Sequence, residues 1–158
     1  MIIENTIDFI RTGQLINFPY GIEKRKVITL LGETEERIDN KESSMLKYDR
    51  TEFYFYHHES GIKYLTGIVI QPIPIPANKG NLKMDYSWLT KKLKFSNAKN
   101  QLKLEHIEFN EIIDRDNDSL VLRTEGKVEL LFFRDDNLIC KVGRYIDFEE
   151  LERLINGG

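Results

Sequence analysis

The 158-residue chain contains a single cysteine, Cys140. A lone thiol excludes an intramolecular disulfide and any thiolate cluster for zinc or iron–sulfur, and it points to a reducing compartment, the cytoplasm. Long apolar runs are also missing: no stretch approaches the about 18 residues that a membrane helix needs. The N-terminal Met1-Ile2-Ile3-Glu4-Asn5-Thr6 lacks the basic and apolar regions and the cleavage site of a signal peptide. Charge of one sign is scarce, because 23 basic and 26 acidic residues leave a net charge of -3 and a pI near 5.7. No strong field therefore exists to recruit nucleic-acid phosphates or anionic lipid. Glycines form neither a P-loop nor a dinucleotide fingerprint, and no serine sits in a glycine-flanked elbow, so nucleotide and hydrolase chemistry have no motif to rest on. What is present is enough apolar material, 41% of residues, to offset the entropy of ordering one domain.

The apolar pattern changes period along the chain. Ile3, Ile7 and Ile10 recur at helical spacing up to Gly13, which predicts a short helix over residues 3 to 12. Ile22, Val27, Ile28, Leu30 and Leu31 predict a second helix, ended by Gly32. Residues 33 to 44 are polar and acidic and read as a surface loop. Leu46 with Tyr48, Phe53 to Tyr56 and Ile62 to Ile70 are aromatic or β-branched runs separated by turn residues, which predicts three antiparallel strands. Pro72, Pro74 and Pro76 remove alternate backbone donors and read as an extended seam. Beyond it, Trp88 to Leu93 predict a short helix or strand. Ser96 is placed to cap a helix running to about His106. Glu111 to Asp114, Ser119 to Thr124, Lys127 to Phe133 and Leu138 to Val142 predict four more strands. Asp147 and Glu150 form a capping-box-like start to a last helix that stops at Gly157. The fold class is α+β, antiparallel sheet with short helices on one face. Its element order suggests two similar units, residues 1–76 and 77–158, in one body.

Several patterns are candidates for chemistry. Asp114, Asp116, Asp118 and Glu125 occupy calcium-loop positions, yet Ser119 stands where the sharp turn needs glycine, and the following residues read as a hairpin; an acidic β-turn is the alternative. His57 and His58 are adjacent in a strand, so their side chains leave opposite faces and cannot chelate one ion together. Cys140 sits on an apolar strand with no activating base nearby in sequence and reads as a core thiol. No cofactor is indicated. Tyr54, Tyr56 and His58 alternate with Phe53, Phe55 and His57, with Tyr64 on a flanking strand. Phenylalanine prefers the dry face, so Phe53 and Phe55 are expected inside and the tyrosines outside, where they either pack or meet a partner. The acidic clusters Glu33, Glu35, Glu36 and Asp114, Asp116, Asp118 are either solvated faces or contacts for a basic partner.

Gly21-Ile22-Glu23-Lys24-Arg25-Lys26-Val27-Ile28-Thr29-Leu30-Leu31-Gly32 resembles the glycine, helix, valine, leucine, glycine signature of the outer-membrane β-barrel assembly lipoproteins, in which two short helices pack on a small antiparallel sheet. The secreted β-lactamase inhibitor protein is similar to a tandem duplication of such a unit, and the resemblance implies target binding through the concave face of the sheet. This chain has no lipidation cysteine near its start and no disulfides. Its length, acidity and lack of a catalytic motif also resemble the small immunity proteins that bacteria pair with toxins.

The functional expectation is thus a non-enzymatic binding protein, an immunity or inhibitor protein that blocks a toxin or enzyme. Tyr54, Tyr56, His58, Tyr64, Asp116 and Asp118 would contact that protein partner; neither nucleic acid nor a membrane is expected. The alternative is an enzyme or small-ligand binder in which His57 or His58 meets a dispersed carboxylate such as Glu59, Glu105 or Asp85. A third reading is a domain that acts by self-association.

Overall fold

A computed structural model describes residues 1–72, 80–114 and 119–157. The elements are β1 (Ile2–Asn5), α1 (Thr6–Thr12), α2 (Lys24–Leu31), β2 (Arg37–Asp39), β3 (Ser43–Tyr48), β4 (Thr51–His57), β5 (Lys63–Ile70), β6 (Leu82–Asp85), α3 (Phe95–Leu104), β7 (Phe109–Asp114), β8 (Ser119–Thr124), β9 (Glu129–Phe133), β10 (Ile139–Tyr145) and α4 (Phe148–Ile155). Eight strands form one antiparallel sheet in the order β2-β3-β4-β5-β10-β9-β8-β7, and β1 pairs with β6 in a separate parallel ribbon. The architecture is α+β, with a large antiparallel sheet and short helices. Among the described residues no helix is long and apolar enough to cross a membrane.

The sheet order has a simple origin. Each half of the chain lays down a four-stranded meander, and the last strand of each, β5 and β10, meet at the centre with Ile70 beside Val142 and Gly67 beside Tyr145. The helices cover one face. Ile7, Phe9 and Ile10 of α1, Val27 and Leu31 of α2, and Ala98 and Leu102 of α3 share one apolar core with Tyr48, Phe53, Phe55, Ile68, Leu130 and Phe132 of the strands. Strand pairs opposite one another share a face, and Leu46, Phe53 and Ile68 line up across β3, β4 and β5.

Four local expectations are corrected. Residues 3 to 12 are not one helix: Ile2–Asn5 pair with Leu82–Asp85, and the helix begins at Thr6, capped by the Asn5 side chain accepting from the Ile7 amide. The 33–44 loop contains β2, whose Ile38 lies opposite Met45. Trp88 to Leu93 form turns, and the strand of this region, β6, precedes them. Ser96 lies inside α3; the helix starts after Lys94, whose backbone bridges to Leu138 and whose side chain makes no cap. Asp147 does cap α4, accepting from the Glu150 amide at 2.7 Å. Within the proline seam, Pro74 and Pro76 lie outside the described residues.

Candidate binding face

Alternation along each strand sends every second side chain away from the helices. On β4 these are Glu52, Tyr54 and Tyr56, and their cross-strand partners are Lys47, Met45 and Ser43 on β3 and Val69, Gly67 and Tyr64 on β5. Across the central seam the same face continues through Gly143, Tyr145 and Lys141 of β10, Glu129, Leu131 and Phe133 of β9, and Val121 and Arg123 of β8. Met45, Val69 and Val121 are buried here but stand apart from the helix-covered core. Around these residues a thin second apolar layer of sheet side chains shields this face, and at Tyr56 it meets Phe148 of α4.

Aromatic rings form the body of that layer. Phe53 and Phe55 are 0% and 1% exposed on the helix side, whereas Tyr54 and Tyr56 are half-buried on the other. The Tyr145 ring lies over Gly67, where any β-carbon would collide with it, and its centroid is 5.7 Å from that of Tyr54. Gly67 thus makes room for a ring to lie flat on the strand. The Tyr54 hydroxyl donates to Glu52 Oε1 at 2.9 Å, and Gln71 Nε2 donates to the same oxygen at 3.0 Å. Burial, reinforced by Glu52, pushes the Tyr54 phenol well above its ordinary range, and burial, with Glu52 adding to it, raises Tyr145. The Tyr54 phenol is therefore a neutral donor to Glu52 at physiological pH.

Next to this pair is a concavity of about 390 Å³, lined by Val121, Leu131 and Tyr145 with Glu129 and Lys141 beside them. Phe133 and Tyr145 are 52% and 53% exposed, an unusual disposition for rings on a sheet otherwise well packed. Sequence reasoning missed Tyr145, Leu131 and Phe133. The run Leu130-Leu131-Phe132-Phe133 is apolar at every position and so does not announce which side faces out, and joining it to Tyr54 requires the β5–β10 pairing.

The remaining expected residues divide. Tyr56 meets Phe148 of α4 edge-on at 5.6 Å, and His58 sits 5.8 Å from the Tyr64 ring with its Nε2 3.4 Å from Glu152 Oε1. Tyr56, His58 and Tyr64 are therefore a corner where α4 reaches the sheet, while Tyr54 belongs to the open centre. Asp116 and Asp118 lie outside the described residues. The calcium reading loses its geometry, because Ser119–Thr124 is strand β8, paired along its length with β7 and β9. Among the described residues no group of three or more His, Cys, Asp or Glu side chains is placed to hold a metal ion. Cys140 is half-buried at a bulge of β10 rather than enclosed in the core.

Two of the carboxylates named for a dispersed histidine site, Glu105 and Asp85, have other partners. Glu105 faces Arg11 at 3.6 Å, and Asp85 accepts from the Ser87 amide. His57 instead joins a polar cluster on the helix side: its Nε2 is 2.9 Å from Ser44 Oγ, which also accepts from Lys24 Nζ at 2.9 Å, and Lys24 donates to Asp39 at 3.2 Å. Serine, lysine and histidine in contact are the parts of an activated nucleophile. Ser44 is only 2% exposed, however, so substrate has no route to it, and the cluster ties α2 to β3. The acidic run near β2 is neutralised in part, with Glu33 3.7 Å from Arg37 and Glu36 3.9 Å from Lys47.

Fold and face together define an α+β protein with one sheet face packed by helices and the other presenting aromatic side chains. No family model, curated protein or solved structure matches this chain.

Proposed function

We propose that this chain is a non-enzymatic protein-binding protein, an immunity or inhibitor protein that blocks a toxin or enzyme by seating it on the open face of the sheet. The observation that carries the reading is the concavity lined by Val121, Leu131 and Tyr145, with the Tyr54 ring against Tyr145 and Phe133 farther along β9, on a face that α1, α2 and α3 leave uncovered. Tyrosine and phenylalanine supply large contact area at low entropic cost, and partly exposed rings around a depression are the common form of an interface anchor. Glu129, Lys141 and Arg123 supply charge of both signs at its border, which suits a specific partner better than an indiscriminate one. The resemblance to the β-lactamase inhibitor protein supports the same use of a sheet surface.

The test is site-directed photo-crosslinking in the native host. A photoreactive residue at Phe133 or Tyr145 should trap one discrete heterologous protein, and the same probe at Leu104, 73% exposed on α3, should not. Uniform crosslinking from all three positions, or adducts only with a second copy of the chain, would refute the reading.

A further inference from the structure

On the opposite side of the molecule, where the start of α2 meets the Gly61–Lys63 turn, there is a cleft of about 360 Å³. Four cations line it, Lys24, Arg25, Arg37 and Lys63, against one carboxylate, Glu23; Ile28 and Ile62 supply its apolar wall. The chain as a whole is acidic, so this concentration of positive charge runs against its composition.

Local partners do not cancel it. Glu23 is bonded to Arg25, and Asp39 is shared between Lys24 and Arg37. Glu33 reaches Arg37 from outside at 3.7 Å. Lys63 is exposed and forms no ion pair among the described residues. Burial lowers the affinity of Lys24 for its proton, and Lys63 and Arg37 add like-charge repulsion against the pull of Asp39. Two cations thus bear on one enclosed ammonium, the arrangement that an added anion would relieve.

We propose that this cleft binds a small amphipathic anion, a phosphate or carboxylate head on a short apolar body. The head meets Lys63, Arg25 and Arg37 at the rim, and the body lies against Ile28 and Ile62. The apolar wall matters because it separates such a ligand from a free inorganic anion, which would gain only screened surface contacts. The site is independent of the open sheet face, so it stands or falls apart from the protein-binding reading.

Hexyl phosphate is a suitable probe, followed by amide chemical shifts and calorimetry on the whole chain. Saturable one-site binding is expected, with shifts concentrated at Arg25, Ile62 and Lys63. Hexanol and inorganic phosphate, each carrying half of the recognised chemistry, should bind far more weakly. The double variant Arg25→Glu, Lys63→Glu alters two exposed side chains and should fold, while weakening hexyl phosphate by about tenfold or more. The proposal is overturned if inorganic phosphate matches hexyl phosphate, if the shifts fall elsewhere, or if the double variant binds undiminished. Binding to phosphatidylglycerol vesicles without binding to hexyl phosphate would also overturn it, by making the patch a membrane contact.

Discussion

The two faces of the eight-stranded sheet are built from the same strands yet follow different rules. On the helix side, Phe53, Phe55, Leu130 and Phe132 are essentially inaccessible and share one core with side chains of α1, α2 and α3. On the other, the Tyr145 ring covers Gly67 and meets Tyr54, and among the described residues no helix ring is in contact with either. A sheet that needed only stability would carry small polar groups on its second face, since exposed rings give little burial in return for their liability to aggregate. One face is thus fixed by the packing of the helices, whereas the other is not held by that constraint.

The strongest way to break that distinction is truncation on both sides of one strand. Phe53→Ala removes a fully enclosed ring that meets Phe18 and Tyr48 edge-on, and it should cost about 3–5 kcal/mol in urea denaturation. Tyr54→Ala, one residue along, should cost roughly 1 kcal/mol, as expected for a half-exposed site. Equal losses would mean that the second face is also core.

A smaller effect is expected at the seam. Gly67→Ala forces the Tyr145 ring off the strand, because a β-carbon at Gly67 occupies the ring's position. The change should destabilise by about 1–3 kcal/mol and move the Tyr145 ring resonances, leaving the helix-side Phe132 resonances in place. Disturbance of both sets would show the faces to be mechanically coupled.

Alkaline pH probes the phenols on both sides. Tyr48 is enclosed, and its hydroxyl donates to Gly32 O at 2.6 Å; burial pushes its pKa up to about 12, with Glu33 adding to the rise and Arg37 opposing it. The unfolded chain releases that proton near 10, so between about 10 and 12 the unfolded state binds fewer protons than the folded one. Stability is therefore flat below pH 10 and falls above it, by at most about 1.4 kcal/mol per pH unit for this one group. Chemical denaturation of Tyr48→Phe should show a shallower alkaline decline than the parent chain; an unchanged decline would mean that other phenols dominate.

The long strands were legible because aromatic or β-branched runs between turn residues leave few alternatives: Phe53-Tyr54-Phe55-Tyr56 announces both strand and facing, whereas Leu130-Leu131-Phe132-Phe133, apolar throughout, announces only the strand. Short ones were not. Ile3 sits at helical spacing from Ile7, so the pairing of Ile2 and Ile3 with Leu82 and Lys83, a contact far away in sequence, had no local signature. β2 has one apolar residue, Ile38, and no periodicity to detect. The start of α3 is set by the Lys94–Leu138 bridge, which overrides the capping preference of Ser96. The site divided the same way. The outward facing of Tyr54 was readable from one strand, whereas Tyr145 met it only through the order in which the two meanders meet, and Tyr56 went to the α4 corner.

The least disruptive change tests the comparison most finely, at the neighbouring residues Phe132 and Phe133 of β9. Phe132 is 1% exposed and meets Phe95 of α3 edge-on at 5.3 Å, so its ring is held by a helix. Phe133 is 52% exposed and lies opposite Ser119 on the uncovered face. A ring with half its surface already in water loses little when removed, so Phe133→Ser should shift stability by no more than about 0.5 kcal/mol. The variant should also be less prone to self-association at high concentration, because it removes apolar area from an exposed patch. If Phe133 anchors a protein partner, the same substitution should reduce binding by about 2 kcal/mol or more despite leaving the fold untouched. Urea denaturation and partner affinity measured on this one variant separate the two roles. A large loss of stability places Phe133 in the fold, and an unchanged stability with unchanged affinity removes it from the binding face.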